Sequence, residues 1–167
     1  AAGVSRLGRA ERHKRSSWDE CIAVNLTAAF VISQQAGARM IARQAGGRII
    51  HISSVLGRGA NPVHRNVGYV AAKGGVDNLV RQLAVEWAPH RVTVNAIAPA
   101  FFPTEMTVDP VHGVMDAQME ATIRTHTPMG RTGEVHEIET SALFLAAPAS
   151  SYVTGVILPV DGGWTAW

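Results

Sequence analysis

The segment GRIIHISS, residues 47–54, decides how the chain is expected to fold. It is short, isoleucine-rich and bounded by glycine and serine, which predicts a buried strand. Apolar residues recur at helical spacing before it, over about 17–44, and after it, over 69–87. The first helix is expected to open with a capping box between Ser17 and Glu20. One strand between two long helices is typical of α/β proteins.

The rest of the chain continues this alternation. RVTVNAIA, residues 91–98, predicts a second strand, and GVILPV, residues 155–160, predicts a third. A long connection, a loosely helical stretch ending near Thr125 and a final helix over about 135–146 lie between them. Because the strands are apolar on both faces, we expect a parallel sheet covered by helices.

Composition excludes several classes of function. The 167 residues are 47% apolar, which is enough for one domain with a substantial core, and the net charge is only +2. The one basic run, GRAERHKR, lacks aromatic neighbours, so we expect no nucleic-acid binding. We expect no membrane span, because no apolar stretch approaches about 18 residues. The single cysteine, Cys21, is expected to pack in the core of a cytoplasmic protein. Neither VDPVH nor HEIE has metal-ligand spacing, so no metal site is expected.

Tyr69 and Lys73 are the first candidates for chemistry. Residues four apart share one helix face, and a nearby ammonium would lower the pKa of a phenol from about 10 towards neutrality. Such a tyrosine can act as a general acid and base. Ser53 and Ser54 are expected at the carboxyl end of the first strand, where open α/β sheets bind ligands. The alternatives are a surface tyrosine–lysine pair and serines that merely end the strand.

Several segments together resemble the short-chain dehydrogenase/reductase family. AAG resembles the end of the family's NNAG segment, WDECIAVNLTAAF its asparagine-bearing helix, GRIIHISSVLG its serine strand and YVAAKGGV its YxxxK helix. RVTVNAIAPAFFPTEM and the segment from PMGRTGE to DGG resemble the remaining C-terminal part. The resemblance is closest to 3-oxoacyl-carrier-protein reductases and gluconate or glucose dehydrogenases. It implies a Rossmann-like doubly wound parallel sheet, present here as the C-terminal half with about three strands.

The resemblance also implies roles for individual residues. Tyr69 would donate or accept the proton of the substrate oxygen, and Lys73 would lower its pKa and hold the nicotinamide ribose. Ser54, rather than Ser53, would hydrogen bond to the substrate oxygen. Asn25 would hold a water that links Lys73 to solvent. The residues alone favour a simpler reading of Asn25, as a hydrogen-bonded polar group within a helix.

A second set of residues would contact the cofactor, NAD or NADP. The resemblance places the backbone of Phe102 and the hydroxyl of Thr104 at the nicotinamide carboxamide, with Pro99 shaping the approach. Ala100 stands where the family usually has glycine. Without the resemblance, Thr104 is better explained as a helix N-cap.

The family's glycine-rich phosphate loop, TGxxxGxG, does not occur in this sequence. We therefore expect residues 1–167 to be the C-terminal catalytic part of a single domain whose N-terminal cofactor-binding part is absent, and the isolated chain to be weakly active or inactive. The leading hypothesis is an NAD(P)-dependent oxidoreductase acting on a small secondary alcohol or ketone. The alternative is an inactive fragment that acts only through subunit association. A hydrolase using Ser54 is disfavoured because no GxSxG elbow is present.

The C-terminal tryptophans bear on assembly. Trp164 and Trp167 would be unusual in a dangling tail, and the family commonly buries this end between subunits. We therefore expect a homotetramer or homodimer of the full-length enzyme. The alternative is that both tryptophans pack on their own domain.

Overall fold

The computed structural model describes residues 3–60, 64–104, 107–108 and 114–167. Its helices are α1 (Arg15–Ile22), α2 (Ala28–Arg43), α3 (Val67–Trp87), α4 (Ala117–His126) and α5 (Glu139–Ala146), and its strands are β1 (Gly47–Ile52), β2 (Val92–Pro99) and β3 (Ile157–Val160). The strands form one parallel sheet in the order β1-β2-β3. In its register Gly47 lies opposite Val92, and Ala96 lies opposite Ile157. The predicted three-stranded parallel α/β architecture is confirmed.

The core lies between β2 and one face of α3. Strand β2 is buried along almost its whole length, as expected for the central strand of a sheet covered by helices. Val76, Val80 and Leu83 of α3 pack against it and are each at most 5% exposed. This packing fixes α3 across the sheet and so fixes the positions of Tyr69 and Lys73. Cys21 is fully buried, as predicted.

Helices α1 and α2 form an almost continuous run, joined by a π-helical turn over Ala23–Thr27. The predicted capping box at its start is wrong. The run begins at Arg15, with Lys14 in the cap position and no side-chain cap, so Ser17 lies inside the first turn. Arg15 instead pairs with Asp19 one turn later.

The sequence-based statement about membrane spans also needs correction. Among the described residues, the run Arg15–Arg43 is long and apolar enough to cross a membrane by length and composition. The same helices pack against the α/β core, with α1 against α3 and α2 against β1. One such helix is weak evidence for a membrane span, and only 22% of its apolar window is buried in the structure.

Candidate active site

Three consecutive residues at the end of β1 are held by one face of α3. The Nζ atom of Lys73 donates to the backbone carbonyl of Ile52 at 2.8 Å. The hydroxyl of Ser53 donates to Asp77 at 2.5 Å. The next hydroxyl, that of Ser54, lies near the phenol of Tyr69 and lowers the pKa of that phenol. Because Tyr69, Lys73 and Asp77 are spaced four apart, one helix face engages the whole strand end.

Local structure also fixes the Ser54 hydroxyl. Ser54 caps a 3₁₀ turn over Val55–Gly57, and its Oγ accepts a hydrogen bond from the backbone N–H of Leu56 at 3.2 Å. Ser54 is only 6% exposed. Ser53, in contrast, donates its hydroxyl to Asp77, two helical turns along α3 from Tyr69. This bond to Asp77 favours Ser54 over Ser53 as the partner of the phenol.

Burial controls the charge states of the Tyr69–Lys73 pair. Burial lowers the pKa of Lys73 to about 8, and the negative charge of Asp77 opposes that effect. Burial raises the pKa of Tyr69 above its ordinary value, and the nearby Ser54 hydroxyl offsets part of the rise. The predicted lowering of this pKa by Lys73 stays a prediction. The ammonium lies 5.5 Å from the centre of the Tyr69 ring and donates to Ile52 instead of to the phenol oxygen.

Asn25 is buried in the π-helical turn, and its carboxamide is hydrogen bonded at both ends. Its Nδ2 donates to the carbonyls of Val4 and Cys21 at 2.8 and 2.9 Å, and its Oδ1 accepts from the N–H of Val4 at 3.3 Å. The Asn25 side chain thus connects the backbone at Val4 to the α1–α2 run. The simpler reading of Asn25, a satisfied polar group, describes its side chain.

The segment after β2 forms the opposite wall of the site. Pro99, Phe102 and Thr104 line a cleft of about 820 Å³ together with Ser54 and Tyr69. The cleft therefore brings together the predicted proton-transfer residues and the predicted cofactor contacts. Lys73 also lines the cleft, whereas Asn25 is not among the described residues that line it.

Thr107 and Gly133 fix the shape of this wall. The Thr107 hydroxyl donates to the carbonyl of Phe102 at 2.5 Å and accepts from the N–H of Thr104 at 2.9 Å. The Phe102 ring packs directly on Gly133, where any side chain would collide with it. A turn begins at Thr104, whose carbonyl accepts from the N–H groups of Thr107 and Val108. The predicted helix after Thr104 begins with Glu105 and Met106, which lie outside the described residues.

Sequence reasoning missed Asp77 and Thr107, whereas it considered His64 as a contact for a polar or acidic substrate at the entrance and favoured surface solvation for it. Asp77 could have been found from its spacing, four residues after Lys73. Thr107 carried no signal, because its contacts depend on how the loop turns. His64 lines the cleft as well, with its Nε2 3.0 Å from the sulfur of Met119 at the start of α4, so two distant segments meet over the site.

Comparison with known proteins identifies the family. The family described as enoyl-(acyl carrier protein) reductase matches residues 1–165. The structure of a short-chain type dehydrogenase/reductase from Mycobacterium marinum superposes on this chain with a TM-score of 0.91 and 31% identity. The match covers 99% of this chain and 63% of that chain. The chain belongs to the short-chain dehydrogenase/reductase family.

Two further relatives show which members of the family the chain is similar to. It is 44% identical to galactitol 2-dehydrogenase (L-tagatose-forming) from Cereibacter sphaeroides, over all of this chain and 64% of that protein. The structure of gluconate 5-dehydrogenase from Burkholderia cenocepacia in complex with NADP and tartrate superposes with a TM-score of 0.91 and 36% identity. That match covers 99% of this chain and 63% of the other. The chain thus spans slightly less than two thirds of these relatives, and the Rossmann-like fold expected from the resemblance is confirmed over that part.

Proposed function

We propose that this chain carries the proton-transfer site of an NAD(P)-dependent oxidoreductase that moves a hydride between nicotinamide and a secondary alcohol or ketone. The observation that supports this most strongly is the meeting of the Ser54 hydroxyl, the Tyr69 phenol and the buried Lys73 ammonium in one cleft, which residues 99, 100, 101, 102 and 104 also line. The dehydrogenase relatives support the same chemistry. Their activities are properties of longer proteins, so the activity of this one is a proposal.

Tyr69 is the proton-transfer residue of the proposed mechanism. Its phenol lies in the cleft next to the Ser54 hydroxyl, and burial keeps it protonated at neutral pH because the pKa is raised. A protonated phenol donates to the oxygen of a bound carbonyl in ketone reduction, and the phenolate accepts the hydroxyl proton in alcohol oxidation. Ser54 donates a second hydrogen bond to the same oxygen and so stabilises the charge that develops there.

The remaining residues bind the cofactor and support proton exchange. Lys73 has donor capacity beyond its bond to Ile52 and would hold ribose hydroxyls. Pro99, the backbone of Phe102 and the hydroxyl of Thr104 would hold the nicotinamide face and carboxamide. When bound, the nicotinamide would give or accept a hydride at its C4 atom. Asn25 would act through a water that links Lys73 to solvent.

These residues suit the nicotinamide end of NAD or NADP. The cleft volume and the polar groups along it match a ring, a ribose and a small substrate, whereas no glycine-rich phosphate loop occurs in the sequence. We therefore propose that residues 1–167 are the C-terminal catalytic part of one dinucleotide-binding domain. The pyrophosphate contacts then belong to residues outside this chain.

Assembly and location complete the proposal. Leu143 is 71% exposed and Trp167 is 80% exposed, whereas Trp164 packs on Phe101 within the chain at a ring distance of 5.0 Å. Exposed apolar side chains near one terminus are suited to subunit contacts. We propose a cytoplasmic homodimer or homotetramer.

Turnover by the full-length protein tests this function. Galactitol and gluconate are the first probes, each with NAD and with NADP, and formation of the reduced nicotinamide is followed by absorbance. The chain has two tyrosines, so Tyr69→Phe has a matched control in Tyr152→Phe, which changes a fully exposed side chain. Tyr69→Phe should lower kcat about 10³-fold, within the range for general acid–base catalysis, and Tyr152→Phe should leave it within twofold.

Two results would contradict the proposal. One is turnover that Tyr69→Phe leaves intact, because the proton would then pass through another group. The other is a folded full-length protein that binds either cofactor without oxidising or reducing any polyol, sugar acid or ketone. Self-association in that second case would favour the non-catalytic alternative.

A further inference from the structure

Asp77 is a buried acid next to the proposed catalytic residues, to which the function above assigns no role. Its side chain is 2% exposed. One carboxylate oxygen accepts the 2.5 Å hydrogen bond from Ser53. The other, Oδ2, is buried and has no hydrogen-bond partner among the described residues. A buried carboxylate in this state is costly, so its presence needs an explanation beyond packing.

The backbone encloses this carboxylate on the side of the 3₁₀ turn. A methyl group at Gly57 would lie 2.8 Å from Oδ2 of Asp77 and 2.9 Å from the backbone carbonyl of Lys73. The turn can therefore approach α3 only because position 57 has no side chain. Glycine at this place lets the protein bury the acid without adding a competing side chain beside it.

The charged groups that act on Asp77 lie on α3 and directly after the 3₁₀ turn. Lys73 and Arg81 lie on the same helix, and Arg58 follows the 3₁₀ turn, and each favours the ionised carboxylate. Burial acts in the opposite sense and raises the pKa of Asp77, while the hydrogen bond from Ser53 lowers it. Lys73 also faces His51 of β1, whose pKa is lowered by burial and by the lysine charge. Among these groups, Asp77 is the one whose charge favours the ammonium of Lys73.

We propose that Asp77 is a positioning residue, which keeps Lys73 in its ammonium form and, through Ser53, anchors the end of β1 so that Ser54 meets Tyr69. Burial lowers the pKa of Lys73 to about 8, so its charge begins to be lost just above neutral pH. An ionised Asp77 one helical turn away opposes this effect of burial. The inference rests on the proposed function, since the ammonium matters because it would hold the cofactor beside Tyr69.

The two effects of Asp77 can be separated by two substitutions. Asp77→Asn keeps the shape and the acceptor for Ser53 but removes the charge. Ser53→Ala removes the hydrogen bond but keeps the charge. The direct readout is the titration of Lys73 in protein labelled with ¹³C and ¹⁵N lysine, with the signal assigned by its loss in Lys73→Met. The other lysine of this chain is the exposed Lys14, which serves as an internal reference.

Asp77→Asn should move the titration midpoint of Lys73 down by roughly one pH unit, the lower end of the range for an opposite charge within about 4–6 Å. Ser53→Ala should leave that midpoint within about 0.3 unit. In turnover assays, the alkaline limb of kcat/KM should shift downwards with Lys73 in Asp77→Asn alone. If Asp77 had only a structural role, Asp77→Asn would lower the stability of the protein without moving the Lys73 titration midpoint or the alkaline limb of kcat/KM.

An unchanged Lys73 midpoint in folded Asp77→Asn would overturn the inference. If that variant does not fold, the protonation state of Asp77 is measured from the ¹³C signal of its carboxyl group in the unsubstituted protein. A carboxyl group that is protonated at neutral pH would also overturn the inference. The titrations need no turnover. Absence of activity with a shifted Lys73 midpoint would therefore count against the proposed function and not against the electrostatic role of Asp77.

Discussion

Burial of Lys73 predicts an unusual dependence of stability on pH. The lysine is 6% exposed, and its pKa in the folded protein is about 8, against an ordinary value of 10.5. Since the folded pKa is the lower one, the unfolded chain binds more protons between these two values. The free energy of unfolding should therefore rise with pH in this window. The substitution that isolates the effect is Lys73→Met, which keeps an unbranched side chain of similar size without the charge.

The size of the effect follows from the two pKa values. Each pH unit between them changes the difference between the unsubstituted protein and Lys73→Met by up to about 1.4 kcal/mol. Allowing for partial titration near pH 8, the gain from pH 7 to pH 9.5 is about 2 kcal/mol in favour of the unsubstituted protein. With a urea dependence of about 2 kcal/mol per molar, this corresponds to a midpoint difference of about 1 M.

Urea unfolding followed by tryptophan fluorescence at several pH values measures this difference. The range stays below pH 10, where ionisation of tyrosines in the unfolded chain would interfere. Lys14→Met, at an exposed position, is the control for the loss of one lysine. A difference for Lys73→Met that stays flat or falls between pH 7 and pH 9.5 would refute the assignment of Lys73 as a buried ammonium with a lowered pKa.

Two further substitutions test the packing and the hydrogen bonds of the site. Gly57→Ala should lower the free energy of unfolding by about 1–3 kcal/mol, because the new methyl group would lie 2.8 Å from the Asp77 carboxylate. Gly59→Ala, whose new methyl group would meet no atom of the described residues within 4 Å, is its control, and equal urea midpoints for the two variants would contradict the packing described. Ser54→Ala should lower kcat of the full-length protein about 10²-fold, since it removes one donor to the substrate oxygen. It should also raise the pKa of Tyr69 further, and a kcat within threefold of the unsubstituted protein would exclude Ser54 from the reaction.

The sequence predicted the architecture because hydrophobic periodicity and strand composition are local signals. The segment 47–54 and the helical spacing of residues 69–87 were enough to place β1 and α3. The start of the first helix was predicted wrongly, since a serine–glutamate pair at capping spacing also occurs inside helices. The π-helical turn that carries Asn25 has no comparable signature in the sequence.

Spacing also placed Tyr69 and Lys73 on one helix face, but it could not predict their charge states. Those depend on burial and on the direction of the lysine, which donates to Ile52 and not to the phenol. The role of Asp77 likewise depends on a contact between β1 and α3 that only the fold creates. Long-range geometry therefore supplies the part of the site that residue types and spacing leave open.

Single-turnover hydride transfer is the most direct measurement of the central claim, that Tyr69 moves the proton in a dehydrogenase reaction. The full-length protein is mixed with NAD or NADP and with galactitol carrying deuterium at C2, and deuterium at C4 of the nicotinamide is followed over time. The account predicts transfer by the unsubstituted protein and by Tyr152→Phe, and transfer about 10³-fold slower by Tyr69→Phe with cofactor binding retained. Transfer by Tyr69→Phe within tenfold of the unsubstituted rate, or deuterium released to water instead of to the nicotinamide, would contradict it.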